Sequence, residues 1–229
     1  MGKEIGENMQ DTIFEKQEAD QWFLRNRDTL INRKAENDLI VQEISKLSNL
    51  NEIKSVIELG SSNGYRLNFF KEILPACKKI VGMDASEQAV QDGIKRYGLE
   101  MHKNTLCNFK TQEKFDLVIV NFVLHWIDRE NVFQCIANID KCTNSGGGML
   151  VIGDFSPYYP YKKIYHHYTK ERIYTYKLNY ENVFLSLNTY KTMKKITFNH
   201  DDKNKEADNL NNASIVILKK NSNEYYPVE

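Results

Sequence analysis

The chain has 229 residues, 41% of them hydrophobic, with 31 Lys and Arg balanced by 31 Asp and Glu. That length suits one domain with a modest appendage, and the apolar share is enough for an ordinary core. A net charge of zero argues against a nucleic-acid partner, which calls for a basic excess to neutralise phosphates.

In chain order, Thr12 to Leu50 reads as helical. Phe14, Trp22, Leu24, Leu30, Leu39, Ile40, Ile44 and Leu47 recur at rough three-to-four spacing among charges. Residues 1–50 are therefore expected to form an N-terminal helical lid, and 51–229 the main domain. Ser55 to Leu59 is a β-rich run stopped by Gly60. Leu67, Phe69, Phe70, Ile73 and Leu74 then mark a helix that ends at Pro75. Lys79 to Met83 predicts a second strand, and Ser86 a cap for the helix carrying Ala89, Val90 and Ile94. A weaker strand lies within Leu99 to Leu106 and a strong one at Phe115 to Val120. A helix over Val132 to Ile139 and a buried strand at Met149 to Ile152 follow.

This alternation predicts an α/β, Rossmann-like, seven-stranded, mostly parallel sheet with helices on both faces. The apolar runs are near-continuous, as doubly covered strands require. Past Gly153 the alternation stops. Phe155 to Tyr180 is crowded with Tyr, Lys and His, and residues 154–190 are expected to form a segment that covers the pocket. Lys194 to Phe198 and Ala213 to Leu218 flank the polar loop Asn199 to Asn212 and read as an antiparallel hairpin.

The turn Glu58-Leu59-Gly60-Ser61-Ser62-Asn63-Gly64 joins a strand to a helix, where backbone amides are free and the helix dipole is positive. A dinucleotide site would read G-x-G-x-x-G, but Ser62 stands at the middle glycine. Glu58 would repel a pyrophosphate and suits a cationic amine instead. Asp84, at the tip of the second strand, stands where such folds hold ribose hydroxyls. A ligand with a ribose, an ammonium group and no phosphate is S-adenosylmethionine.

Val56 to Gly64, Gly82 to Ser86, Phe115 to Val118 and Gly146 to Ile152 together resemble the successive motifs of class I methyltransferases. The resemblance implies S-adenosylmethionine as cofactor, S-adenosylhomocysteine as product and a last strand turned antiparallel. It places Glu58, Gly60, Ser61, Ser62 and Gly64 along the methionine end. Asp84 would hold the ribose, with Ala85, Thr105 and Leu106 around the adenine and Asn121 and Phe122 facing the sulfonium and the acceptor. Trp22 to Arg27 and Tyr176 to Tyr180 are similar to small bacterial surface-glycan methyltransferases, including those of pseudaminic acid and capsule loci. That narrower likeness implies a nucleotide-activated or phosphorylated glycan precursor as the small-molecule acceptor.

His125, just after the fourth strand, can take a proton from an acceptor hydroxyl or amine, or can simply pack. Trp22, Arg25, Arg27, Tyr158, Tyr165 and Tyr176 are the acceptor-binding candidates, against the plainer reading of solvated cations and a packed lid. His166 and His167 point too far apart on a helix to share a metal, and no metal is expected. Cys77, Cys107, Cys135 and Cys142 form no C-x-x-C pair. They fit a reducing, cytoplasmic setting, and no apolar run is long enough to span a bilayer. The competing readings are a non-catalytic cofactor binder and an NAD(P)-dependent oxidoreductase.

Overall fold

The hydrophobic runs become the strands of one sheet because each has apolar side chains for both of its faces. In the computed structural model, which describes residues 9–202, 205–206, 208–221, 226 and 228, these are β1 (Ser55–Leu59), β2 (Lys79–Asp84), β3 (Glu100–Lys103), β4 (Leu117–Asn121) and β5 (Gly146–Phe155). Interleaved with them are α4 (Tyr65–Ile73), α5 (Glu87–Tyr97) and α6 (Val132–Cys142). In front of them run α1 (Met9–Ile13), a π-helical turn at Phe14–Glu18, α2 (Ala19–Ile31) and α3 (Leu39–Ser45). After β5 come β6 (Tyr161–Ile164), β7 (Tyr174–Lys177), α7 (Glu181–Leu185), β8 (Tyr190–Asn199) and β9 (Asn212–Asn221).

The seven-stranded sheet has the order β3-β2-β1-β4-β5-β9-β8. β1 to β5 pair in parallel. β9 runs antiparallel between β5 and β8, with Leu150 opposite Leu218 and Asn199 opposite Asn212. The expected Rossmann-like sheet with its reversed final strand is therefore present.

Side chains alternate in destination along each central strand. Ile57, Leu59, Val118, Val120, Leu150 and Ile152 meet Cys135 and Ile139 of α6, with Tyr180, Phe184 and Tyr190. Val56, Leu117, Ile119, Met149 and Val151 meet α3, α4 and α5 through Ile40, Ile44, Leu67, Phe70 and Val90. Burying each such side chain stabilises the fold by about 1.5–3 kcal/mol, so neither face is dispensable.

The N-terminal segment is less uniform than its periodicity implies. Residues 1–8 of the expected lid lie outside the described residues. α3 belongs to the core, because Ile40, Val41 and Ile44 are buried against the sheet layer. The third strand shrinks to four residues, and the irregular stretch after Phe155 contains a second, two-stranded sheet of β6 and β7.

Candidate functional site

The cleft opens at the carboxyl ends of β1, β2 and β4, where a parallel sheet leaves its loops free. The turn after β1 starts at Gly60 with φ of +81°, a left-handed conformation, and a Cβ there would fall 2.2 Å from Val123 Cγ2. The Gly60 and Ser61 amides donate to the Met83 carbonyl at 2.7 and 2.9 Å, which ties the turn to the end of β2. The Ser62 amide donates to Asp84 Oδ2 at 2.6 Å and the Ser86 amide to Asp84 Oδ1 at 2.8 Å. Burial nevertheless pushes the Asp84 carboxyl up to about 6, those amides opposing it and Asp20 adding to it.

Glu58, one residue before the end of β1, is almost wholly buried at 1% exposure. Arg66, from the first turn of α4, donates through Nη1 to Glu58 Oε1 and through Nε to both oxygens of Asp38, at 3.2 and 3.1 Å. Tyr65 donates to Asp38 at 3.2 Å and accepts from Arg33 at 3.0 Å. Glu58 Oε2 is buried with no hydrogen-bond partner, as is Ser62 Oγ. Burial pushes Glu58 up to about 7, the Arg66 charge opposing it and Asp38 and Asp84 adding to it.

These residues line a cavity of about 630 Å³, inside the ~300–1,000 Å³ usual for ligand pockets. Arg33, Asp38, Glu58 and Arg66, joined through Tyr65 and their own hydrogen bonds, are among its lining residues. Gly60, Ser61, Ser62, Asp84 and Ala85 line it too, as do Thr105 and Leu106. Asn121, Phe122, His125, Phe155, Lys177 and His200 complete the wall. His125 is 5% exposed; its amide donates to Asp154 Oδ2 at 3.2 Å, and Nδ1 is 2.9 Å from Asp154 Oδ1. Phe122 holds a φ of 55°, pinned by its amide on the Gly153 carbonyl at 2.6 Å.

The helix of α1 and α2 closes over this wall. Gln10 Nε2 donates to the carbonyls of Trp126 (3.0 Å) and Tyr174 (2.8 Å), while its Oε1 accepts from the Tyr174 amide at 2.7 Å. Asp11 accepts from the Asp128 amide at 2.9 Å and from Asn131 Nδ2 at 2.8 Å. Phe14 stacks at 5.0 Å on Trp126.

Of the residues singled out in the sequence, the cavity gathers Trp22, Arg25, Glu58, Gly60, Ser61, Ser62, Asp84, Ala85, Thr105, Leu106, Asn121, Phe122, His125 and Tyr165. Gly64 is not among its lining residues; it starts α4 at φ of +71°, and a Cβ there would meet Leu99 at 2.6 Å. Arg27 pairs with Asp92 at 2.9 Å, Tyr158 is 73% exposed, and Tyr176 lies under the Arg129 guanidinium at 4.3 Å. These three side chains stand away from the cavity wall. Arg25 and Tyr165 line it but both bind Glu18, Tyr165 donating at 2.7 Å. They thereby tie the lid helix to the β6–β7 sheet. Sequence reasoning missed Asp38, Tyr65, Arg66, Asp154 and Lys177. The available signal was an arginine directly behind the glycine turn, on the inward side of an amphipathic helix. Among the described residues no cluster of three metal-ligating side chains occurs, and no helix is long and apolar enough to cross a membrane.

The strand order and the reversed final strand are those of the Rossmann-like fold that solved methyltransferases share. Residues 57–149 match the family model of a methyltransferase domain. Over 95 residues the chain is 30% identical to an uncharacterised methyltransferase of Schizosaccharomyces pombe, a match covering 40% of this chain and 35% of that protein. The match thus spans about a third of that curated relative's length.

Among solved structures, the 1,6-didemethyltoxoflavin-N1-methyltransferase of Burkholderia thailandensis, with bound 1,6-didemethyltoxoflavin and S-adenosylhomocysteine, superposes with a TM-score of 0.70. It is 13% identical over 96% of this chain and 93% of that one. Magnesium protoporphyrin IX methyltransferase of Synechocystis gives 0.60 at 13% identity, over 95% and 100%. The N-methyltransferase NodS of Bradyrhizobium japonicum gives 0.56 at 16%, over 88% and 98%. At these identities the likeness is one of fold.

Proposed function

We propose that this protein transfers a methyl group from S-adenosylmethionine to an oxygen or nitrogen of a small polar acceptor. The observation that carries the reading is Glu58 Oε2, a buried carboxylate oxygen without a partner, on a residue lining a cavity that Asp84 also lines. A buried acceptor of this kind costs about 1–3 kcal/mol until a donor reaches it, and an ammonium group is the donor its charge favours. Arg66 and Arg33 beside it suit the carboxylate of the same amino-acid tail. The Asp84 carboxylate, oriented by two amides, suits a pair of ribose hydroxyls. S-adenosylmethionine supplies, when bound, an electrophilic methyl group on a positively charged sulfur, and S-adenosylhomocysteine is what it leaves.

The chain's own contribution is placement, worth roughly 7–11 kcal/mol when both reactants are held in line. Phe122, Trp126 and Phe155 keep water from the acceptor end, and their ring faces favour a sulfonium. His125 donates its Nδ1 proton to Asp154, which leaves Nε2 with its lone pair free to accept the proton the acceptor loses. The narrower reading, a nucleotide-activated or phosphorylated glycan precursor of a bacterial surface polysaccharide, draws support from the sequence likeness and from the basic and aromatic side chains at this end. Four free cysteines support a cytoplasmic setting.

The test is calorimetry with S-adenosylhomocysteine, followed by incorporation of labelled methyl into candidate acceptors. Asp84→Ala is expected to weaken adenosylhomocysteine binding at least about tenfold, or ~1.4 kcal/mol. His125→Asn is expected to keep that affinity while slowing turnover by roughly 10²–10⁴. No binding by the wild-type protein would end the reading; binding with no transfer to any acceptor would favour a cofactor-binding relative that does no chemistry.

A further inference from the structure

β7 turns its polar side chains inward. Thr175 and Lys177 are each 7% exposed and line the cavity, while Tyr174 and Tyr176 between them are only half-buried. A lysine so little exposed normally has a carboxylate against it, because an ammonium that gives up part of its hydration otherwise does so without return. Among the described residues none lies within 4.0 Å of Lys177 Nζ, and it makes no hydrogen bond. What it has is the Phe155 ring, whose centroid is 2.8 Å from Nζ. A ring face offsets part of the lost hydration but supplies no counter-charge. The charged groups acting on it are Asp154, Lys163 and Asp201, and burial dominates them, pulling the amine down to about 8.

The position of this ammonium matters as much as its environment. Phe155, which it caps, lies 5.1 Å from the His125 ring and 5.4 Å from the Phe122 ring. Lys177 thus stands beside the proposed proton acceptor. The cationic groups suited to the amino-acid tail, Arg33 and Arg66, come instead from α2–α3 and α4 and gather around Asp38 and Glu58. We propose that Lys177 determines acceptor specificity by binding an anionic group, a carboxylate or a phosphate, on the molecule to be methylated. This rests on the methyltransferase reading above. The anion gives the ammonium the partner the fold withholds and sets the acceptor's hydroxyl or amine against His125. A neutral acceptor of the same shape leaves the charge unpaired and is rejected for that reason.

The experiment titrates benzoate, phenyl phosphate and benzyl alcohol into the wild-type chain, Lys177→Met and Lys177→Arg, with and without saturating S-adenosylhomocysteine, followed by NMR. The wild type is expected to bind one of the two anions at least about tenfold more tightly than the alcohol, and which anion it is separates carboxylate from phosphate acceptors. Lys177→Met is expected to lose that preference, Lys177→Arg to keep most of it, and all three to bind adenosylhomocysteine equally, which shows that each is folded. Equal anion binding by wild type and Lys177→Met, or no anion preference in the wild type, overturns the proposal while adenosylhomocysteine binding leaves the methyltransferase reading intact. A Lys177-dependent anion site in a chain that ignores adenosylhomocysteine supports the anion site and removes the methyltransferase reading instead.

Discussion

Glu58 and Asp84 are both acids held above their ordinary values, at about 7 and about 6 against 4.5 and 3.8. A carboxyl raised in the folded state stabilises the ligand-free protein most fully below its unfolded value. That contribution is lost as pH rises from the unfolded to the folded value, so the empty protein should lose stability between about pH 4 and 7. Binding runs the other way, because an ammonium group needs Glu58 ionised and only the ionised fraction binds it well. Affinity for S-adenosylhomocysteine should therefore be roughly tenfold or more weaker at about pH 5.5 than at about pH 8. Glu58→Gln should flatten that dependence and bind weakly throughout; a profile shared by both proteins would remove Glu58 from the site. Glu58 was legible in the sequence because an acid ahead of a glycine turn is chemically odd for a phosphate site. Arg66 and Asp38 were not, because their meaning comes from meeting each other. Their residue types are ordinary, and only the approach of α3 to the start of α4 turns them into a buried ion pair with Glu58.

At the scale of elements, the start of the lid helix, over residues 9–18, is held by polar clasps, while α2 behind it is anchored by burial of Phe23 and Leu30. Gln10 completes backbone groups of Trp126 and Tyr174, Asp11 those of the turn before α6, and Glu18 the Tyr165 hydroxyl. The apolar contacts of the lid helix are two small clusters, Ile13 with Tyr165 and Ile173, and Phe23 and Leu30 of α2 with Tyr65 and Ala89. Gln10→Ala leaves three backbone groups without their partner, a loss of roughly 1–2 kcal/mol confined to the lid. Amide hydrogen exchange over residues 9–18 should then rise about tenfold while β1 and β4 stay protected. Unchanged exchange would mean that the clasp does not hold the lid. Helical periodicity marked this segment as helix but could not separate α2, which covers the cleft, from α3, which is core. β6 and β7 escaped notice for a related reason: strands are recognised by apolar side chains on the inward face, and here that face carries Thr175 and Lys177.

For the molecule as a whole, β4 and β5 send side chains into both cores, and Leu150 is fully buried between Val118 and Leu218 in register. Leu150→Ala should cost about 2–5 kcal/mol in denaturant unfolding. Adenosylhomocysteine affinity should hold, since Leu150 lies on the sheet and outside the cavity lining; a matching loss of affinity would mean that core and cleft are mechanically coupled. The alternation of strands and helices, the doubly apolar strands and the acid–glycine turn were all written locally in the chain. They determined a parallel sheet, its two covered faces and the end at which a ligand enters, because hydrophobic period and turn chemistry act over a few residues. The tertiary structure alone decided that β9 inserts between β5 and β8, that Asp154 meets His125, and that Lys177 faces a cavity with no carboxylate of the described residues within 4.0 Å. Those outcomes depend on groups 29 residues apart for the dyad and on strands far apart in sequence, and no local signal carries the energy of a contact before the chain has closed on itself.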